Sequence, residues 1–293
     1  MNGAYCPPEE ATISVFDIGF THSDVAYDVT SVWKGRFFRL DDHVERFLRS
    51  CAGFRLGCPY SKDEIKSILA ACVAEGGVED AAYVAMVVTR GKYSEAGERE
   101  RDIRQTEATF IAYATPYVWI ANPEKQEQGL HIIVGKTPHI PDACVDARFK
   151  NYHWGDLTQA RLEAADVGAD SAVLLTTDGR LSEGPGFNLF FIDGGRLMTP
   201  ARNALEGITR QTVFDLAGEM AVPVEAGDYP PDRLREADEA FLCSTAGGIM
   251  PVVRVDERVL GNGVPGPITS RLRGLYWSKR EAGWLGTPVG DLL

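Results

Sequence analysis

Long apolar runs are absent from this chain, and its first residues do not follow the pattern of a leader sequence. The longest apolar runs, such as residues 82–88, fall far short of the roughly 20 residues that a membrane-spanning helix needs. Residues 1–14 are polar, contain proline, and lack the basic start and apolar core of a secretory signal. We therefore expect a cytoplasmic protein.

Cysteine and histidine are scarce and show no recognisable spacing. There is no C-x-x-C pair, and the five histidines lack the spacing of metal ligands. The six cysteines are Cys6, Cys51, Cys58, Cys72, Cys144 and Cys243. This distribution fits reduced, buried thiols better than disulfides or zinc ligands, so we expect no metal.

Basic clusters are also missing. The chain has 30 lysines and arginines against 42 aspartates and glutamates, which gives a formal net charge of -12. Such an acidic surface argues against nucleic-acid or anionic-membrane partners. What the chain does have is length and apolar content: 293 residues, 44% of them hydrophobic, suffice for one large or two moderate domains.

The first part of the chain mixes strand and helix patterns. Alternating apolar residues predict strands at 11–16, 25–33, 37–40, 82–89 and 108–120. Helical spacing predicts one helix capped by Asp41 or Asp42 and another over residues 61–75. These elements indicate a small α+β domain over residues 1–121.

A polar segment with a proline, residues 122–128, is predicted to be the interdomain linker. Beyond it, the patterns predict strands at 130–135, 172–176 and 187–192, and helices at 154–166, 208–221, 232–236 and 267–281. Many short strands with tight turns indicate a barrel-like sheet flanked by helices. We therefore expect a larger domain over residues 129–293, and a two-domain α+β fold.

One lysine stands out among bulky neighbours. Lys150 lies just before a predicted helix, and Phe149, Tyr152 and Trp154 are large enough to wall a pocket around it. A desolvated amine loses its proton and becomes a nucleophile. The alternative is a surface lysine whose stem covers the aromatic rings.

Two further segments combine polar groups with glycine. Glu183 lies between a predicted strand and a glycine-proline turn, where it is either a functional carboxylate or a solvated turn acid. The G-x-G at residues 184–186 lacks the third glycine and the following helix of a dinucleotide site. The segment Gly207-Ile208-Thr209 begins a predicted helix, and its amides form an anion site unless Thr209 is a plain N-cap.

The run Cys243 to Gly248 follows a predicted strand and consists of small residues. Its amides and hydroxyls suit an anion nest, although flexible loops have the same composition. A reactive lysine, a carboxylate, anion-binding amides and an arginine such as Arg46 together make the set that pyridoxal 5'-phosphate requires.

Seven segments carry a family resemblance. They are His22-Ser23-Asp24-Val25-x-Tyr27, Arg39-Leu40-Asp41-Asp42-His43-x-x-Arg46, Val88-Thr89-Arg90-Gly91, Lys150-Asn151-x-x-Trp154-Gly155-Asp156, Glu183-Gly184-x-Gly186-Phe187-Asn188, Gly207-Ile208-Thr209-Arg210 and Thr245-Ala246-Gly247-Gly248. The chain thereby resembles the fold-type IV pyridoxal-phosphate enzymes, which include branched-chain and D-amino-acid aminotransferases. It is most similar to the (R)-selective amine:pyruvate transaminases.

The resemblance implies a role for each matching residue. Lys150 becomes the Schiff-base lysine and proton shuttle, and Glu183 the partner of the pyridine nitrogen. The implied phosphate ligands are Arg46, Ile208, Thr209 and Thr245. The implied substrate residues are His22, Tyr27, Val29, Tyr83, Ala85, Tyr152, Trp154, Gly186, Thr245 and Ala246. The family is homodimeric, with the active site near the subunit interface.

Two departures from the family pattern affect the substrate. Tyr83 stands where phenylalanine is frequent, and Ala85 where a polar or acidic residue is frequent. The loop over residues 92–101 should carry the arginine that accepts the carboxylate of the keto acid, and Arg99 is our candidate.

The resemblance implies transamination of a primary amine, with pyruvate or a similar keto acid as acceptor. A branched-chain or D-amino-acid aminotransferase would need a fixed cation for the α-carboxylate, and the apolar character of Val29, Tyr83 and Ala85 disfavours it. Two alternatives remain: a pyridoxal-dependent lyase of the aminodeoxychorismate type, which needs no amino acceptor, and a non-catalytic binding protein.

Overall fold

The computed structural model describes all 293 residues, and the chain divides into two units. Unit 1 comprises residues 1–117, 149–153 and 285–293. Unit 2 comprises residues 118–148 and 154–284. Lys150 therefore belongs to unit 1, although its neighbours from Trp154 onward belong to unit 2. The domain boundaries predicted above stay a prediction.

Strands and helices occur in both units. The strands are β1 Val25–Trp33, β2 Arg36–Phe38, β3 Ala81–Tyr93, β4 Thr106–Pro116, β5 Leu130–Pro138, β6 Ser171–Leu175, β7 Asn188–Asp193, β8 Arg196–Pro200, β9 Val224–Gly227, β10 Glu239–Ser244, β11 Gly248–Val255, β12 Arg258–Val259 and β13 Gly286–Pro288. The helices are α1 Ile18–His22, α2 Leu40–Gly53, α3 Lys62–Glu75, α4 Pro123–Gln128, α5 Gly155–Asp166, α6 Ile208–Glu219, α7 Pro231–Arg235 and α8 Pro267–Glu281. No helix is both long and apolar enough to cross a membrane.

Unit 1 is built on a five-stranded sheet in the order β13-β2-β1-β3-β4, with antiparallel neighbours throughout. Side chains alternate between the two faces of a strand. Ala26, Val84 and Met86 point to the face that packs against α2 and α3, where Phe47 and Leu69 complete a buried apolar core. The opposite face of the sheet therefore carries Tyr27, Val29 and the residues in register with them.

Unit 2 is built on an eight-stranded sheet in the order β6-β5-β11-β10-β7-β8-β9, with β12 paired to β11. Parallel pairs join β6, β5 and β11, while β10 pairs antiparallel with β11 and β7. The sheet curls into a half-barrel. The predicted fold class, α+β with a barrel-like sheet flanked by helices, is confirmed.

Three local predictions are wrong. Residues 11–16 form no strand, since they have no strand partner and are mostly exposed. Neither Asp41 nor Asp42 caps α2: the N-cap is Arg39, in a left-handed conformation with φ of 50°, and both aspartates lie in the first turn. All six cysteines are free, but Cys6 and Cys144 are exposed rather than buried.

Residues 122–128, predicted as a linker, contain the short helix α4. Asn122 caps it by accepting a hydrogen bond from the amide of Lys125, and Pro123 occupies the first turn, where no amide hydrogen is needed. Gln126 is buried and donates to the carbonyl oxygens of Ala121 and Gly247. This segment is therefore fixed within unit 2.

Candidate active site

The backbone of Lys150 is held beside strand β1 in unit 1. Its carbonyl oxygen accepts a hydrogen bond from the amide of Tyr27 at 3.1 Å, and Asn151 forms an antiparallel bridge with Ala26. The amide of Lys150 donates to Oγ of Ser50 on α2 at 3.0 Å. The lysine is therefore fixed at an edge of the sheet rather than carried on a free loop.

The side chain of Lys150 lies over an aromatic ring. Its Nζ is 4.4 Å from the centroid of Tyr27, and the ring of Tyr152 lies 4.4 Å from the same centroid. The residue is only partly exposed. A cation or an amine over a tyrosine ring is attracted to its face. The predicted neighbours Tyr27 and Tyr152 are thus brought to the lysine.

The same face of the unit 1 sheet carries most of the predicted substrate residues. Val29 pairs with Ala85, and Ala85 pairs with Tyr113 on β4, so all three share one face. We define the tyrosine face as Tyr27, Val29, Tyr83, Ala85, Tyr113 and Tyr152. Sequence reasoning missed Tyr113, although the alternation of β4 was a signal that could have found it.

Three phenols of this face, those of Tyr83, Tyr113 and Tyr152, are held in the uncharged form. Burial raises the pKa of Tyr83, Tyr113 and Tyr152, and neighbouring tyrosines raise it further for Tyr83 and Tyr152. Neutral phenols can donate a hydrogen bond but carry no charge to attract a carboxylate. The tyrosine face therefore offers apolar contact and hydroxyl groups, with no cationic member.

Arg46 lies on the other side of the sheet, in a buried ionic cluster. Its Nε and Nη2 donate to the two carboxylate oxygens of Asp28 at 2.7 and 2.8 Å, and Nδ1 of His43 lies 2.8 Å from Asp28. Burial opposes the ionisation of Asp28, but Arg46 and His43 outweigh it and hold the pKa of that carboxyl well below its usual range. Asp28 therefore fixes the orientation of the Arg46 guanidinium.

Glu183 in unit 2 is held by Asn188 from the start of β7. Nδ2 of Asn188 donates to Oε2 of Glu183 at 3.0 Å and to the carbonyl oxygen of Leu205 at 2.9 Å. A Cβ at Gly207 would lie 2.0 Å from Oδ1 of Asn188, so this position has no room for a side chain. The glycine that begins α6 thus also allows Asn188 to hold Glu183.

A buried histidine lies behind Glu183, and sequence reasoning missed it. Nδ1 of His139 is 2.5 Å from Oδ2 of Asp156, and its Nε2 is 3.7 Å from Oε1 of Glu183. Burial lowers the pKa of His139, but the two carboxylates outweigh burial and raise that pKa to about 9. The only sequence signal was Asp156, which closes the motif that begins at Lys150.

The first turn of α6 has no side-chain cap, so its backbone amides are suited to binding an anion. Gly207 is the N-cap of α6 and supplies no capping side chain, so the predicted alternative of Thr209 as the N-cap is wrong. Thr209 is buried within the first turn, and Ile208 is partly buried. Helix N-termini favour negative charge and leave donor amides for it. Arg210 donates to Oγ1 of Thr199 and the carbonyl oxygen of Pro200 and stacks over Phe214, which fixes the helix against β8.

The turn after β10 is packed closely against α8 and the loop before β7. Oγ of Ser244 donates to the carbonyl oxygen of Gly186 at 2.8 Å, which brings Gly186 to the turn that carries Thr245 and Ala246. Gly248 has a φ of +69°, and a Cβ there would lie 2.6 Å from Cε1 of Tyr276. The turn therefore requires glycine and is held rigidly.

The remaining predicted site residues lie in different settings. Cη2 of Trp154 is 3.6 Å from the position of a Cβ on Gly186, so these two residues are neighbours in unit 2. His22 is exposed at the end of α1, with its Nδ1 2.7 Å from Oγ1 of Thr21. Arg99 is exposed in the turn between β3 and β4. No group of three or more histidine, cysteine, aspartate or glutamate side chains is arranged to hold a metal ion.

Known proteins match this chain over almost its full length. The chain is 30% identical over 276 residues to a putative branched-chain-amino-acid aminotransferase of Methanocaldococcus jannaschii, with 93% of each chain covered. It is 31% identical over 279 residues to a D-alanine aminotransferase of Listeria monocytogenes, covering 93% of this chain and 92% of the other.

Solved structures agree with these sequence matches. The T.th. branched-chain amino acid aminotransferase, in complex with N-(5'-phosphopyridoxyl)-L-glutamate, superposes with a TM-score of 0.90 at 28% identity and covers 99% of this chain and 97% of its own. The sequence profile of the family described as amino-transferase class IV matches residues 25–255. This chain therefore belongs to the class IV aminotransferases, which are fold-type IV enzymes with pyridoxal 5'-phosphate as cofactor.

Proposed function

We propose that this aminotransferase moves the amino group of a primary amine of (R) configuration to pyruvate or a similar keto acid. The observation that carries the proposal is the tyrosine face beside Lys150, whose six residues supply apolar and hydroxyl groups and include no arginine or lysine. An amine needs apolar contact for its two substituents, whereas an amino acid also needs a partner for its α-carboxylate.

The residues of this chain fit pyridoxal phosphate chemically. The uncapped first turn of α6 suits a phosphate, and Asn188 presents Glu183 as an oriented carboxylate. We assign Glu183 to the pyridine nitrogen and the phosphate to Ile208, Thr209, Thr245 and the Asp28-oriented Arg46. When bound, the cofactor supplies an aldehyde carbon and an electron-accepting ring.

Lys150 is the residue we assign to catalysis. Its Nζ would hold the cofactor in the resting enzyme, and once the substrate amine had taken its place, the free Nζ would move the proton at the reacting carbon of the substrate. The ring of Tyr27, 4.4 Å from Nζ, holds the amine in place, and the bridge between Asn151 and Ala26 fixes the backbone behind it. Proton transfer requires this fixed position because the donor and acceptor atoms must meet within hydrogen-bond distance.

The substrate residues of the proposal are those of the tyrosine face with His22, Trp154, Gly186, Thr245 and Ala246. Tyr83 and Ala85 lie on neighbouring positions of one face of β3, so a large side chain next to a small one shapes the space available to the amine. Arg99 stays our candidate for the keto-acid carboxylate; it is exposed in its turn.

A second candidate function is transamination of D-amino acids or branched-chain amino acids. The relatives named above favour it, since they are described as D-alanine and branched-chain aminotransferases. This candidate differs from the first in one requirement, a partner for the α-carboxylate of the amino donor. An aminodeoxychorismate-type lyase differs from both because it needs no amino acceptor.

Half-reactions with single donors separate these functions. We expect (R)-1-phenylethylamine to remove the visible absorbance of the bound cofactor faster than the (S) enantiomer, and faster than D-alanine or L-leucine. Preference for (S), or for an amino acid, contradicts the proposal. Each donor is also tested without keto acid: a transaminase stops after one half-cycle, whereas a lyase continues to turn over.

Assembly and location belong to the same proposal. The family resemblance implies a homodimer with the active site near the interface, and light scattering on the purified enzyme measures the mass directly. A monomer would contradict this part of the proposal. The cytoplasmic location expected from the sequence stays a prediction.

A further inference from the structure

The feature that carries the inference is the row of side chains Asp156, His139 and Glu183 in unit 2. The imidazole of His139 is buried, with Asp156 at 2.5 Å from Nδ1 and Glu183 at 3.7 Å from Nε2. Nε2 is fully buried and has no hydrogen-bond partner within range. A buried ring nitrogen without a partner is costly, and here it points toward the carboxylate of Glu183.

The ring has little freedom to leave this position. The amide of His139 donates to the carbonyl oxygen of Leu175 at 2.8 Å, so its backbone is tied to β6. Oδ2 of Asp156 also accepts from the amide of Ile140 at 2.7 Å, and Oδ1 accepts from the amide of Leu157 at 2.8 Å. Asp156 is thereby fixed in the first turn of α5, and it orients the ring through Nδ1.

The two carboxylates make the ring a cation at neutral pH. Burial lowers the pKa of His139, and the contacts with Asp156 and Glu183 outweigh burial to give a pKa of about 9. Arg210 on α6 also interacts electrostatically with Glu183. Glu183 therefore has a fixed positive charge behind one carboxylate oxygen, while Asn188 donates to the other.

We propose that His139 is a positioning residue for Glu183, with Asp156 orienting its ring, so that the carboxylate of Glu183 stays aimed at the cofactor's pyridine nitrogen. The inference rests on the proposed role of Glu183. It adds two residues, from the loop after β5 and from α5, to the group that sets the electronic state of the cofactor. Neither residue touches substrate in this account, so both act through Glu183.

The pairing is tested first in the full-length chain without cofactor. Nitrogen-15 NMR of the histidine rings, with the His139 signal assigned by its loss in His139→Gln, gives the protonation curve of the ring. We expect a midpoint near pH 9, which Asp156→Asn and Glu183→Gln each lower. A midpoint near the ordinary value of about 6.5, or one that Glu183→Gln leaves unmoved, overturns the inference.

The effect on the cofactor is tested in the loaded enzyme. His139→Gln should weaken cofactor binding on the order of tenfold, the size of effect seen when a residue that orients a metal ligand is removed. It should also abolish any change of the cofactor absorbance near pH 9. His131→Gln is the matched control, because the Nε2 of His131 is partnered only by the carbonyl oxygen of Asp256. Wild-type affinity and an unchanged pH profile in His139→Gln contradict the inference.

The two measurements separate this inference from the proposed function. If Glu183→Gln moves the titration of His139 but leaves the absorbance and affinity of the cofactor unchanged, the proposed role of Glu183 is wrong. If Glu183→Gln changes the cofactor but leaves His139 unmoved, the role of Glu183 stands and the positioning role of His139 is wrong.

Discussion

At the residue scale, Gly207 is both the N-cap of α6 and the residue that leaves room for Asn188. A Cβ at this position would lie 2.0 Å from Oδ1 of Asn188, the residue that holds Glu183. Gly207→Ala should therefore displace Asn188, lower the free energy of unfolding by about 1–3 kcal/mol, and weaken cofactor binding. Thermal denaturation and cofactor titration measure the two effects.

The control for that variant lies on the same helix. Gly218 is exposed in the last turn of α6, and a Cβ there would meet nothing within 4 Å. Gly218→Ala should stabilise the chain by about 0.5–1 kcal/mol, because glycine is a poor residue inside a helix. An equal loss of stability in both variants would show that the contact with Asn188 is not the cause of the loss at position 207, and would contradict our account of Gly207.

Lys150 has a prediction of its own. Lys150→Ala should remove the visible absorbance of the bound cofactor and lower activity by roughly 10²–10⁴-fold, since the variant has no amine to move the proton. Lys34→Ala is a suitable control, because Lys34 lies in the turn between β1 and β2. An unchanged spectrum in Lys150→Ala would contradict the assignment of this lysine.

The candidate site was only partly predictable at this scale. Lys150, Glu183 and the α6 start were predictable because each is a chemically distinctive residue at a turn. His139 was not, because 17 residues separate it from Asp156 and 44 from Glu183. No periodicity links such positions, and a lone histidine is more often an ordinary core residue.

At the element scale, the pairing of α2 with β1 depends on buried charge. Arg46 and His43 from the helix contact Asp28 on the strand, and the Asp28 side chain is fully buried. Asp28→Asn would leave Arg46 buried without its counter-ion, which costs about 3–5 kcal/mol. Asp63→Asn is the control, since Asp63 pairs with Lys66 at the surface and should matter little. Urea denaturation compares them, and equal losses would contradict this account.

The same cluster predicts a pH dependence. Burial lowers the pKa of His43 despite Asp28, and Asp28 itself has a lowered pKa. The pKa of each group is lower in the folded state than in the unfolded state. The two groups therefore contribute to the free energy of unfolding in full above about pH 6.5, and this contribution is lost as the pH falls. Stability should decline first through His43 below about pH 6.5, and His43→Gln should remove this first step. Unfolding followed across this range measures it, and an identical profile in His43→Gln would contradict the assignment.

The N-terminal cap of helix α3 is predicted to make a smaller contribution to stability. Ser61 accepts from the amide of Glu64, and Glu64 accepts from the amide of Ser61, which makes a complete capping box. Ser61→Ala should cost about 1 kcal/mol. Ser67→Ala, an exposed position inside the same helix, should be neutral or slightly stabilising. Equal effects in thermal denaturation would show that the cap contributes nothing.

Elements were predictable where periodicity and burial agree. The strand at residues 25–33 was predicted with its observed bounds, and α3 and α8 within one residue, because each has a clear apolar pattern and a defined start. Residues 11–16 have a similar alternation but no partner strand, so pattern alone misled. The pairing of β13 with β2 joins residues about 250 positions apart, and no local signal in the sequence predicts it.

At the whole-molecule scale, the family is shown by the match over residues 25–255, while the choice of donor depends on a few side chains. Both named sequence relatives act on amino acids by their descriptions, and the tyrosine face is the feature of this chain that favours an amine. Fold and cofactor are common to the whole family, so they do not fix the substrate.

The most direct test follows the nitrogen atom itself. The enzyme is supplied with ¹⁵N-labelled (R)-1-phenylethylamine and unlabelled pyruvate, and the products are analysed by mass spectrometry. We predict labelled alanine and acetophenone in equal amounts, and roughly 10²–10⁴-fold less of both products with Lys150→Ala. Ketone without labelled alanine, or no product from the (R) amine while D-alanine or L-leucine reacts, would contradict the proposed amine transaminase.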